Sequence, residues 1–380
     1  MPNQWLADQA RGCPDRHNNF GLARLYLAFG VFVGHYSWIF PDGPIPDHLT
    51  QWLVGEAGLN AVRAFFIISG YFLFRSFRTS KTVYSYIGKR ANRVLPAYVS
   101  VVLAAAVLGI FLTNLSAADY LSPDLFKYVF WNLLFLNFIH PTLPGVFEAQ
   151  PVHLVNSPLW TLKIEISFYL AVPIIATAAR WVRLPVILAI LYTGSLAYAH
   201  VFDHLFQSTG RPIFHTLSLQ MPGQLCYFLS GALIEYYREQ FRVYGKALTI
   251  GAAVTILLSG LLSIDVFYPI SFGIIVIAFC TLLPYLGNWE KYGDFSYSIY
   301  IFHFPILQVF CGLGLLDAYP PLRFMVIVAI VLAISYLSWT FIESPFLRRR
   351  SATAILTGDG ASKMYASPST SRTEHPIPEL

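Results

Sequence analysis

The stretch that decides the fold is residues 20–40, FGLARLYLAFGVFVGHYSWIF. Twenty-one residues rise about 32 Å as an α-helix, enough to cross a hydrocarbon core of about 30 Å. Within it only Arg24 and His35 carry groups that charge near neutral pH. Similar apolar segments recur near 55–74, 94–113, 158–179, 184–201, 217–236, 246–264, 267–286, 295–315 and 321–342, which makes ten. An eleventh candidate, 125–139, is short and contains Lys127 and Asn132. The expected fold is an all-α integral membrane protein with about ten transmembrane helices.

Composition leads to the same place. Of 380 residues, 56% are hydrophobic and 12% charged, against about 25% charged in an ordinary soluble domain. That excludes a soluble globular protein, and such apolarity also excludes disorder as the main state. The net charge of +5 is gathered between apolar stretches rather than in a basic stripe, so no nucleic-acid partner is expected. The four cysteines, Cys13, Cys226, Cys280 and Cys311, are too scattered for a disulfide framework or a metal site.

The basic residues set the orientation. Residues 75–93 contain Arg75, Arg78, Lys81, Lys89, Arg90 and Arg93, whereas 41–50 contain no Lys or Arg. The positive-inside rule then places the N-terminus in the cytoplasm. If 125–139 crossed the membrane, Arg180 and Arg183 would lie outside. Keeping it at the interface puts them inside with Arg238, Arg242, Lys246 and Arg348 to Arg350, makes both termini cytoplasmic, and leaves 114–157 as a long outer loop. The chain divides into a polar cytoplasmic segment, 1–19, a polytopic domain, 20–345, and a basic, then disordered tail, 346–380. The first segment holds Asp8, Arg11, Asp15 and Arg16 and does not read as a cleaved signal peptide. The absence of a phosphate-loop motif argues against ATP-driven transport.

An ionised group at the bilayer centre costs at least about 2.5–3.5 kcal/mol on insertion scales, so intramembrane charges mark function. Arg24 and His35 lie on the first segment, Arg63 and Ser69 on the second, Lys163 and Glu165 on the fourth, and His303 on the ninth. Arg24 and His35 are eleven residues apart, which on a helix is about 16 Å along one face. If the fourth helix starts at the outer surface near Pro158, Glu165 lies about 10 Å deep, level with His35. A carboxylate is therefore expected beside that imidazole. Ser69 falls at the inner depth of Arg24, and His303 near the middle. Together these residues outline a polar path from the cytoplasm to an outer pocket. Each has a plainer reading: snorkelling for Arg24 and Lys163, helix packing for His303, and close helix approach for Ser69 with Gly70.

At these residues the sequence resembles the acyltransferase-3 family of integral-membrane acyltransferases. Asn18 through His35 resembles its first helix, with Arg and His separated by ten residues. Phe65-Phe66-Ile67-Ile68-Ser69-Gly70-Tyr71 resembles its second, and Arg90, Arg93 and Pro96 the basic start of its third. Leu159-Trp160-Thr161-Leu162 with Glu165, Phe168 and Tyr169 resembles its fourth, although Pro158 departs from the usual pattern after Ser157. The run from Gly293 to Tyr300 with His303 and Pro305, and Ser338-Trp339 with Glu343 and Pro345, resemble its closing segments. The likeness is to the stand-alone form, without an appended esterase-like domain.

The resemblance implies an O-acyltransferase in the cell inner membrane. It would take an acyl group, usually acetyl, from cytoplasmic acetyl-CoA to a hydroxyl of an envelope or secreted glycan. His35 would act as general base or acyl relay, with Glu165 fixing its tautomer. Arg24, Arg90, Arg93 and Ser69 would bind the donor, and Arg63 and His303 would continue the polar path. The expected partners are acyl-CoA, a carbohydrate or lipid-linked glycan acceptor and the bilayer, with no metal and no permanently bound cofactor. The competing classes are a multi-span transporter or flippase of a glycan or small solute, and a non-catalytic scaffold of a glycan-assembly complex.

Overall fold

The computed structural model describes residues 18–262, 266–291 and 293–347. Most of the 1–19 segment, with Cys13, and the basic tail from 348 onward lie outside the described residues. Among the described residues every regular element is helical. The long helices are α1 (Phe20–Ile39), α2 (Gly58–Arg78), α3 (Val83–Leu108), α4 (Trp160–Ala178), α5 (Leu184–Thr209), α6 (Met221–Tyr236), α7 (Arg238–Leu262), α8 (Tyr268–Thr281), α9 (Ser296–Gly312) and α10 (Pro320–Leu337). Each of the ten predicted segments overlaps one of them.

Five stretches are long and apolar enough to cross a membrane: Val83–Phe111, Ser157–Ala178, Leu184–Thr209, Arg238–Leu261 and Pro320–Leu347. The other long helices fall short for identifiable reasons. α6 and α9 have 16 and 17 residues, and in α1 and α2 the polar residues discussed below lower the hydropathy. The helix Pro123–Leu133 has 11 residues, about 16 Å, half the hydrocarbon thickness.

Two helix starts differ from expectation. α3 and α7 begin about ten residues early, at Val83 and Arg238, so Lys89, Arg90 and Arg93 sit inside α3 rather than in a loop. Lysine and arginine are good helix formers, and the Thr82 side chain caps α3 by accepting the backbone N–H of Ser85 at 3.0 Å.

Close backbone approach holds the centre together. α2 and α6 cross where each presents a glycine to the other's backbone: a Cβ on Gly70 would strike the Phe228 carbonyl, and one on Gly231 the Ile67 carbonyl. This is the small-residue contact by which membrane helices pack. Phe168 of α4 stacks on Phe228 of α6 at 4.5 Å between ring centroids. Asn19, buried, ties the start of α1 to the end of α8. Its backbone N–H donates to Cys280 O (2.8 Å), its side-chain amide donates to Pro284 O (3.0 Å), and its Oδ1 accepts from the Leu286 N–H (2.9 Å).

The outer loop is not a surface strap. Gln150 donates to Gln308 O (3.1 Å), Gln308 donates to Val152 O (2.7 Å) and Leu154 O (2.6 Å), and Asn156 donates to Ile301 O (2.9 Å). Irregular backbone is thereby sunk against α9, permissible at membrane depth only where protein supplies the hydrogen bonds. At the outer end, Arg323 joins two loops through Asp42 and Asp317, each at 2.8 Å, with its guanidinium over the Phe40 ring.

Candidate active site

His35 lies four residues from the outer end of α1, and its ring partner is His303 of α9. His35 Nδ1 and His303 Nε2 are 3.0 Å apart, with the rings stacked at 5.1 Å between centroids. His303 is fully buried, and its Nδ1 lies 2.8 Å from Ile299 O. Hydrogen-bond logic assigns the protons. A carbonyl oxygen only accepts, so His303 Nδ1 carries a hydrogen and its Nε2 is the acceptor of the neutral ring. A neutral pair in which His35 Nδ1–H donates to it satisfies both contacts. Phe304 packs edge-on against His35 at 5.2 Å, and Phe32 against His303 at 5.8 Å. These rings fix both imidazoles by packing.

His35 faces an open cleft of about 1690 Å³ lined also by Trp38, Arg63, Trp160, Tyr227 and Tyr300. Tyr300 shares a hydrogen bond with Thr161 at 2.7 Å, joining α9 to α4 on the cleft wall. Arg63 Nη1 donates to Asn60 at 3.1 Å, and the guanidinium stacks 4.7 Å from the Tyr227 ring centre.

A second cluster, at the other end of α1, centres on Asp294, just before α9. It pairs with Arg93 of α3 at 2.6 Å and with Arg24 of α1 at 3.2 Å. Arg24 also pairs with Glu290. Arg93 reaches Glu343 at 3.7 Å, and that carboxylate, in the π-helical turn Ser338–Glu343, accepts from Ser298 and Ser338. Burial alone would raise the Asp294 carboxyl, but Arg93 and Arg24 outweigh it and hold the group below the usual aspartate range. Arg90 is one turn from Arg93 and interacts electrostatically with Glu165 and Tyr169.

The expected pairing of Glu165 with His35 is therefore replaced. Glu165 accepts a hydrogen bond from Tyr169 and faces the charges of Arg93 and Arg90. The expected depth follows only if the fourth helix starts at the surface. Instead Asn156 is already bonded to Ile301, in the first half of α9, and α4 begins four residues later at Trp160.

Of the other expected residues, Arg24 and Arg93 come together, and Arg63 and His35 share the cleft. Ser69 forms no hydrogen bond to either cluster among the described residues and sits beside the Gly70 crossing. Lys163 points its ammonium over Phe138 of the outer loop, 4.4 Å from the ring centre. Asp294, Glu343 and Tyr169 were visible as motif residues without a role, and Glu290 stands in a polar linker that gave no signal. Among the described residues no cluster of His, Cys, Asp and Glu is arranged to hold a metal.

The helical chain thus sets an imidazole pair beside a cleft and an arginine–carboxylate cluster about 16 Å away along α1. The chemistry follows from kinship. Residues 17–340 match the family model described as an acyltransferase domain, and the chain belongs to this acyltransferase-3 family. It is 26% identical over 355 residues to the O-acetyl transferase of Shigella phage Sf6, covering 88% of this chain and 98% of the phage protein. Nodulation protein 10 of Rhizobium leguminosarum bv. viciae is 25% identical, covering 88% and 94% of the two chains. The exopolysaccharide production protein ExoZ of Rhizobium meliloti (strain 1021) is 28% identical, covering 81% and 94%. No solved structure matches the chain. The protein is thus a membrane acyltransferase.

Proposed function

We propose that this acyltransferase moves an acetyl group from acetyl-CoA, bound from the cytoplasm, to a hydroxyl of a cell-envelope or secreted glycan in the outer cleft. The single observation that supports the mechanism is the imidazole pair beside the cleft, and in this reading His35 Nε2 is the unprotonated nitrogen that meets the acceptor. His35 takes the proton of the acceptor hydroxyl as its oxygen attacks the thioester carbonyl. The tetrahedral intermediate collapses with loss of the CoA thiolate, which the His35 imidazolium protonates. A covalent acyl-His35 relay uses the same Nε2 and the same proton balance. His303 holds the tautomer, the part that a carboxylate plays in hydrolytic triads.

Arg24, Arg93 and Arg90 bind donor phosphates at the inner end, where guanidinium groups form charge-assisted bonds to phosphate. The donor then spans the roughly 16 Å of α1 between Arg24 and His35 to present its thioester. Ten crossings with both termini cytoplasmic, in the inner membrane, fit this direction of transfer. The kinship with an O-acetyl transferase and an exopolysaccharide production protein supports the acetyl group and the glycan.

The test is transfer of label from radiolabelled acetyl-CoA into envelope carbohydrate by membranes containing the wild-type protein or His35→Ala at matched levels. Label with the wild type and none with the variant is expected. Equal label from both overturns the role of His35, and absence of label with either overturns the choice of donor or acceptor.

A further inference from the structure

Arg63 lines the cleft without a carboxylate partner among the described residues. Arg24, Arg78, Arg93, Arg238 and Arg323 each have a carboxylate partner, whereas no carboxylate among the described residues pairs with Arg63. Its Nε is buried without a hydrogen-bond partner among the described residues, and Nη1 is engaged by the neutral amide of Asn60. A guanidinium with no carboxylate partner among the described residues leaves its charge open to an anionic ligand.

The geometry says where that ligand would sit. The face of the guanidinium stacks on Tyr227, which fixes its plane and leaves its N–H edge for an oxyanion. His35 and Arg63 line the same cleft. Asp203 of α5 also lines the cleft but forms no ion pair with Arg63. The cleft, at about 1690 Å³, exceeds the usual 300–1,000 Å³ of a small-molecule pocket, in keeping with a bulky acceptor.

We infer that the acceptor carries an anionic group, a carboxylate or a phosphate, close to the hydroxyl that is acylated, and that Arg63 binds it in the outer cleft. The inference rests on the acyl-transfer reading above and deepens it by naming the charge of the acceptor. A uronic-acid carboxylate and a lipid-linked phosphate offer the same chemistry, and the experiment separates them.

Membranes with wild type, Arg63→Gln and Arg63→Lys are given radiolabelled acetyl-CoA and three preparations of envelope glycan. One is untreated, one has its carboxyl groups reduced to alcohols, and one is dephosphorylated. Loss of a charge-assisted contact predicts a fall of about tenfold or more in wild-type transfer after one of the two treatments, and that treatment identifies the anion. Arg63→Gln is expected to show the same fall on untreated glycan, with a raised KM for glycan and an unchanged KM for acetyl-CoA. Arg63→Lys, which keeps the charge, is expected to recover part of the rate and supplies the comparison if Arg63→Gln does not accumulate. Equal wild-type transfer to all three preparations overturns the inference and leaves acetyl transfer standing. So does an Arg63→Gln enzyme that still discriminates as sharply as the wild type. Label in none of the preparations overturns the acetyl-transfer reading itself, and the inference with it.

Discussion

At the scale of single residues, the two histidines divide one task. In the proposed mechanism His35 supplies the lone pair, and His303, which is buried and does not line the cleft, decides which nitrogen bears it. The two positions should respond differently to substitution. His35→Ala is expected to lower transfer by about two to four orders of magnitude, the usual contribution of a general base. His303→Leu is expected to cost less, roughly ten- to a hundredfold, and His303→Gln to recover much of that, since the amide oxygen can accept the His35 Nδ1–H. Steady-state rates at fixed acetyl-CoA, with acceptor varied, distinguish these outcomes. Equal losses for His303→Leu and His303→Gln would argue for packing alone.

Asp294 makes a second residue-scale case. Because its folded-state pKa is lowered, its stabilisation is fully present above the ordinary aspartate value near 3.8 and is lost as pH falls through the lower folded value. Asp294→Asn leaves Arg24 and Arg93 without their shared anion, and removing one partner of a buried pair costs about 3–5 kcal/mol. Thermal unfolding in detergent should show the variant well below wild type at neutral pH, with the gap closing at pH values below the carboxylate range.

Helix periodicity shows which face of an element a residue occupies, but not at what depth the helix begins. Arg24 and His35 could be read correctly as one face of α1 because both belong to a single helix. The partner of His35 was missed because Glu165 was placed by counting from a helix start at the surface. The Asn156 bond to Ile301 sets the start of α4, and a contact between residues 145 positions apart has no signature in the local pattern. His303, by contrast, was legible as a polar residue on the path, but stacking against His35 depends on how α9 rotates against α1. The α2–α6 crossing is testable at this scale. Gly231→Val should prevent accumulation of folded protein, because its side chain meets backbone that cannot move aside. Gly30→Ala, with nothing within 4 Å of the new Cβ, should raise stability by about 0.5–1 kcal/mol through helix propensity. Size-exclusion profiles and thermal midpoints of the two variants provide the check.

For the whole molecule, composition and the run of apolar segments were enough to read a helical membrane protein, and every predicted segment overlaps a helix. Of the helices around the site, α1 and α2 fall short of strongly apolar spans, since Arg24, His35 and Arg63 lower their hydropathy, whereas α3 and α4 do not. Orientation is tested by single cysteines and a membrane-impermeant maleimide. Labels at His153→Cys and Thr209→Cys are expected from outside in intact cells. Labels at Thr79→Cys and Asn288→Cys are expected only after permeabilisation. The reverse pattern would overturn the assignment made from the positive-inside rule.

The sequence from Asp294 to Gln308 joins the Asp294 ion pairs, the Glu343 contact through Ser298, the Tyr300 wall, the anchor for Asn156, the second imidazole and the amide that grips the outer loop. Fifteen residues thus answer to six different demands, and a change that improves one will usually damage another. Arg63 and Tyr227 answer mainly to the cleft. A lineage under pressure to acylate a new acceptor therefore has little room to vary α9 and much more on the facing walls of α2 and α6. Laboratory selection for altered acceptor preference should begin on those walls.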